Sequence, residues 1–148
     1  MLIIQKKQII LGYFLAVTFS LFLIPSLLFA QSESSENAKV FIISPKNGAV
    51  VKNPVKVIFG LSGMKISPAG IEKKFAGHHH LLIDVNTLPD LAKPIPSDKN
   101  HIHFGKGQTE TKLNLSSGKH SLQLLFADYL HIPHINPVIS KKIYITVK

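Results

Sequence analysis

Apolar and polar positions alternate over most of this chain, and the alternation predicts strands. Val40-Phe41-Ile42-Ile43 runs into the turn Pro45-Lys46-Asn47-Gly48. Val55, Val57, Phe59 and Leu61 alternate with Lys56, Ile58 and Gly60. His79, Leu81, Ile83 and Val85 form another set at spacing two. Residues 109–115 alternate, Ser116-Ser117-Gly118-Lys119 turns, and Leu122, Leu124 and Phe126 carry the pattern back before Ile143, Ile145 and Val147 close it. A strand turns every second side chain to one face, so each apolar set is a buried face with its partners outside. Turn residues separate the runs and no helical period appears. The pattern predicts about seven strands in an all-β, immunoglobulin-like β-sandwich, with a small barrel as the alternative. Leu81, Ile83, Leu122, Leu124, Phe126 and Ile145 are the expected core.

The pattern is different at the amino end. Lys6 and Lys7 precede an almost unbroken apolar run over residues 9–24, Pro25 interrupts it, and Leu28-Phe29-Ala30 ends it on a small residue. This is the layout of a secretory signal peptide, residues 1–30, cut after Ala30. An uncleaved membrane anchor is the alternative, since the run approaches the roughly 20 residues that span a bilayer. No cysteine follows the run, so an acylated N-terminal cysteine is excluded. Residues 31–38 are polar, rich in Ser and Glu, and read as a flexible linker. Residues 39–148 then form one β-sandwich domain, large enough for its own core.

Composition narrows the setting. An exported chain without cysteine has no disulfide to staple it and fits a bacterial periplasm or surface better than a eukaryotic extracellular module. All seventeen basic residues are lysine; two lie in the leader, leaving fifteen against eight carboxylates, a net charge of +7 with histidines neutral. Readers of nucleic acid depend on the planar arginine fork, and these lysines are scattered rather than striped, so nucleic acid is not the expected partner.

Three connections exceed the usual length: residues 62–76, residues 86–100 with Pro89, Pro94 and Pro96, and residues 128–137 with His131, Pro133, His134 and Pro137. Long connections in a compact domain are often functional. Two histidine clusters flank the second one, Gly77-His78-His79-His80 and His101-Ile102-His103. Strand parity puts His78 and His80 on one face and His101 and His103 on one face. If the two strands pair, neighbours across the ladder are about 4.8 Å apart. Imidazoles so placed can converge on one ion at about 2.0–2.1 Å each. His78, His80, His101 and His103 are the candidate ligands, with Asp84 or His134 as an outer partner. A donor set without thiolate suits Zn²⁺, Cu²⁺ or Ni²⁺, and Zn²⁺ or Cu²⁺ is the expected ion. His79 and His120 share parity with core residues and are assigned to packing.

Other chemistry is weakly represented. Gly105-Lys106-Gly107 lacks the spacing of a phosphate loop and reads as a tight turn or bulge. No nucleophile elbow and no cysteine nucleophile occur. Glu110 and Asp128 have no identifiable partner, and Asp128, directly after a strand, reads as a turn former.

Gly63-Met64, Pro68-Ala69-Gly70, Gly77-His78-His79-His80-Leu81-Leu82-Ile83-Asp84, Ile95-Pro96, the stretch from His101 through Glu110, and Gly118-Lys119-His120-Ser121-Leu122-Gln123-Leu124 together resemble the bacterial family called domain of unknown function 4399. The resemblance covers nearly the whole chain after the linker, and implies an exported bacterial domain without an established activity. Function therefore rests on the residues. The leading reading is an exported, non-enzymatic, histidine-rich β-sandwich that binds a divalent transition metal. The alternative is an immunoglobulin-like module for a cell-envelope ligand, with structural or pH-responsive histidines. A metal-assisted hydrolase ranks last, for want of a general base.

Overall fold

The computed structural model describes residues 31–148; the expected signal peptide lies outside the described residues. Ten strands and no helix make up the described chain: β1 (Lys39–Ser44), β2 (Val50–Val51), β3 (Val55–Ser62), β4 (Lys65–Ile66), β5 (Ala76–Ile83), β6 (His101–His103), β7 (Glu110–Leu113), β8 (Gly118–Ala127), β9 (Pro133–Ile139) and β10 (Ile143–Val147). One sheet has the order β1-β3-β7. The other follows β2-β10-β8-β5-β4, with β6 also on β5 and β9 also on β8. The two sheets form the all-β sandwich that the alternation predicts, and neither closes into a barrel.

The inner faces meet as the parity requires. Val40, Val55, Val57 and Phe59 of the smaller sheet pack against Leu81, Ile83, Leu122, Leu124, Phe126 and Ile145 of the larger one. All six residues expected in the core are buried. Each such side chain contributes about 1.5–3 kcal/mol when removed from water.

The outer face of the larger sheet is covered too, and this sets up the site. All eight residues of β5 are buried. Leu82, Leu125 and Ala127 point away from the main core and form a second apolar cluster with Ile95, Val85, Leu91 and Ile139. Ile95, Leu91 and Val85 come from the proline-rich connection between β5 and β6, which folds back over the sheet as a loop. It is fastened at its ends and middle. Ile83 N donates to Asn100 O (2.8 Å), Asn100 Nδ2 donates to Ile83 O (2.7 Å), and Ile95 N donates to His131 O (2.9 Å).

Two segments behave differently from their composition. Half of the expected loop 128–137 belongs to β9, despite Pro133 and Pro137. β9 pairs only with β8, and an edge strand can hold residues that lack an N–H on its free side. Residues 31–38, expected to be a flexible linker, make hydrogen bonds along the domain. Gln31 Nε2 donates to Leu91 O (2.7 Å) and Pro133 O (2.8 Å), Ser34 Oγ to Asn136 O (2.9 Å), and Ile135 N to Ser32 O (3.0 Å).

Candidate metal centre

The site starts from how closely β5 lies against β8. A side chain at Gly77 would place its Cβ 2.0 Å from the carbonyl oxygen of Ala127, so only glycine admits that approach. From there the strand alternates. His79, Leu81 and Ile83 enter the main core, while His78, His80 and Leu82 face outward beneath the loops. On the other edge of β5, β6 runs antiparallel with His80 opposite His103, Leu81 opposite Ile102 and Leu82 opposite His101. His103 therefore stands beside His80, and His78 follows two residues along.

The three imidazoles converge. One ring nitrogen from each of His78, His80 and His103 lies within 4.8 Å of the others. Nε2 of His78 and Nε2 of His80 are 3.2 Å apart. Two nitrogens bound to one tetrahedral ion at about 2.0–2.1 Å would be about 3.3 Å apart, so this pair already has the spacing of two ligands.

A fourth ring arrives from the connection between β8 and β9. The centroid of His131 lies 4.6 Å from that of His103, 5.1 Å from His78 and 6.0 Å from His80. His131 sits at φ 67°, a left-handed conformation in which His is several-fold enriched. Asp128 builds the turn that places it. Its Oδ1 accepts from Leu130 N (2.9 Å) and Ile132 N (3.0 Å), and its backbone oxygen accepts from His131 N (3.0 Å). Asp128 is thus the turn former expected from its position.

The remaining sequence candidates have other partners. His101 shares the outward face, but its register beside Leu82 carries it past the triad. There its Nδ1 is 2.8 Å from Asp98 Oδ1, in a turn where Asp98 also accepts from the backbone of Asn100 and His101. Asp84 is held by Nδ1 of His120 (2.7 Å) and by Ser121 N (2.8 Å), at the far end of β5 from His78. Nδ1 of His134 lies 2.8 Å from Ser32 Oγ, which donates to Asp128 Oδ2 (3.0 Å). His79 lies inside the main core between Phe59 and Phe126, with ring centroids 5.1 and 5.2 Å away. His120 is more than packing, because its ring links Asp84 to the carbonyl of Ser116 (2.8 Å).

The turn after β6 also serves the triad. Gly107 has φ 81° and its N–H donates to Phe104 O (3.0 Å), the tight turn expected there. Gly105 has a different role: the ring of His103 lies against its Cα, in space that a Cβ would fill. Glu110 pairs with Lys56 at 3.1 Å on the exposed surface.

Burial decides the protonation of the cluster. His80 is pushed down to about 2 and His78 to about 3, in both cases first by desolvation and then by the repulsion of neighbouring imidazoles. Burial and the proximity of His131 lower His103 as well. Neutral imidazole is the form that ligates metal. The three groups that converge are all imidazoles, so the donor set is nitrogen throughout. Nδ1 of His78, Nδ1 of His80 and Nε2 of His103 are buried without a protein partner. Buried polar atoms in native proteins almost always have one, and the donor set fits a borderline-soft divalent ion.

No curated protein and no solved structure matches the chain. A family model does match, over residues 57–148, and it takes in every strand from within β3 onward and all eight histidines. The chain belongs to the family described as domain of unknown function DUF4399.

Proposed function

We propose that this protein is an exported, non-enzymatic β-sandwich that binds a divalent transition metal, Zn²⁺ or Cu²⁺, with His78, His80 and His103 as ligands. The observation that carries the reading is the convergence of one ring nitrogen each from the buried His78 and His80 and from the partly buried His103 in an all-imidazole cluster. The charged n-region, apolar run and Leu28-Phe29-Ala30 support export. A binding role is favoured over catalysis because the neighbouring carboxylates are committed elsewhere: Asp128 to its turn and Asp98 to His101.

One observation favours a second reading. In neutral tautomers the 3.2 Å contact between His78 and His80 is an N–H···N hydrogen bond, so the cluster can be a scaffold within an envelope-ligand module. Either arrangement leaves Nδ1 of His78 and Nδ1 of His80 without a partner. The metal reading ranks first because one nitrogen from each of three rings converges, whereas the hydrogen bond engages only two of them. Elemental analysis of untagged protein, followed by calorimetric titration of the chelator-treated protein with Zn²⁺ and Cu²⁺, tests it. One ion per chain, lost in His80→Ala and retained in His120→Ala, is the expected result. Equal weak binding by wild type and both variants would leave the scaffold.

A further inference from the structure

Resting on that metal reading, we infer that His131 is the fourth ligand and that it closes the centre into a four-imidazole tetrahedron with no open position. The warrant is geometric. When four imidazoles each bond one tetrahedral ion at about 2.0–2.1 Å, their ring centroids lie about 5 Å apart. The ring centroids of His78, His80, His103 and His131 lie 4.6 to 6.0 Å apart across their six pairs. His78, His80 and His103 already bring one nitrogen each within 4.8 Å of the others, and His131 joins them by turning its ring about its side-chain torsions. His131 lies 5.1 Å from His78 and 4.6 Å from His103, which are themselves 4.9 Å apart. The longest separation, to His80, falls on the one ring that reaches the site from a loop rather than from β5 or β6.

The loop is built to hold that ring in place. Asp128 accepts the two backbone N–H groups that flank His131, Ile95 N donates to the carbonyl of His131, and Ser32 Oγ donates to the second oxygen of Asp128. Two other parts of the chain, at Ser32 and Ile95, thus fasten a five-residue turn whose product is one half-buried imidazole over the triad. With its backbone fixed at a left-handed position by these bonds, His131 keeps its Cα over the triad and has only its side-chain torsions left to aim the ring. A closed site of this kind retains or carries an ion; a catalytic site keeps one position for water or substrate.

Cobalt makes the coordination visible. The wild-type protein, loaded with Co²⁺, is compared with His131→Asn and His80→Ala; asparagine tolerates φ near 67°, and circular dichroism checks that each variant is folded. The expected wild type binds one Co²⁺, gives an intense tetrahedral visible spectrum, and is unchanged by azide. His131→Asn should bind at least tenfold more weakly, on the scale seen when even an outer partner of a ligand is removed, and azide should then alter its spectrum by taking the freed position. A wild-type spectrum that responds to azide overturns the inference while leaving the three-histidine site intact, whether or not the variant folds. Wild-type affinity in a folded His131→Asn does the same. Absence of Co²⁺ binding to wild type, or binding indifferent to His80→Ala, removes the metal reading itself and this inference with it.

Discussion

A single methyl group at Gly105 should disable the centre while leaving the sandwich folded. A Cβ built there lies 2.3 Å from Cε1 and 2.4 Å from Nε2 of His103. Non-bonded carbon contacts are favourable at about 3.5–4.0 Å, so in Gly105→Ala the ring has to retreat by about 1 Å or more. The backbone has little room to yield in its place. Gly105 O accepts from Ala69 N (2.9 Å), the next turn is closed by Gly107 N on Phe104 O (3.0 Å), and the added carbon would also sit 3.2 Å from the Cβ of Ala69. Gly105 is not among the residues with positive φ, so alanine introduces no backbone strain and the effect is confined to the ring.

Metal–ligand distances tolerate about 0.2 Å, several times less than the displacement. Gly105→Ala should therefore resemble His103→Ala, losing at least tenfold in Zn²⁺ affinity, or about 1.4 kcal/mol. Calorimetric titration of wild type, Gly105→Ala and His103→Ala reads that loss, and thermal denaturation of the chelator-treated proteins reads the fold. Wild-type Zn²⁺ affinity in a folded Gly105→Ala would refute the placement of His103 against this glycine and its part in the site.

Two further outcomes follow from histidines outside the cluster. The ring of His79 is buried between Phe59 and Phe126, and the backbone of Gln108 approaches it without completing a well-formed hydrogen bond, so His79→Leu should stabilise the chelator-treated protein by about 1–3 kcal/mol, the cost of an unsatisfied buried polar group; a lower denaturation midpoint would mean that the Gln108 contact is a formed hydrogen bond. Asp84 raises the pKa of His120 through their hydrogen bond, so the folded state holds that proton more tightly than the unfolded chain. The resulting stability is fully present below about pH 6.5 and is lost as pH rises through the folded value. The denaturation midpoint of wild type relative to His120→Gln should therefore be steady in mild acid and decline above neutrality, and a difference that grew with pH would contradict the pairing.

The sandwich was legible because its strands are long and alternate cleanly. The six expected core residues follow from parity alone, and the structure buries all of them. Parity also assigned the faces of β5 correctly, with His79 inward and His78 and His80 outward. What parity cannot supply is register. β6 has three residues, and sliding its pairing by two would put His101 where His103 stands without turning any side chain to the other face. A local signal was available nonetheless: Asp98 lies three residues before His101, the spacing at which an aspartate caps a turn and captures a nearby ring. His131 had no such signal. It lies in an irregular turn 28 residues beyond His103, and only the folded loops bring the two rings together. β9 was hidden for a different reason, since its prolines argue against a strand unless the free edge is known in advance.

The charge of the chain bears on which ion such a centre would select. Fifteen lysines outnumber eight carboxylates in the part described, and the groups that converge at the site are imidazoles alone. A divalent cation approaching this domain meets net repulsion, softened beyond about 8 Å by physiological salt, and no carboxylate waits at the site to neutralise it. Calcium and magnesium are bound by oxygen donors and by negative charge, so both would be excluded twice over. The ions that overcome the desolvation penalty here are those whose bonds to imidazole are strong in their own right, which is the order that places Cu²⁺ and Zn²⁺ above the earlier first-row metals. On the proposed metal reading, neutral nitrogen ligands in a basic domain would act as a filter, with selectivity arising from bond strength because electrostatic attraction would contribute none of it.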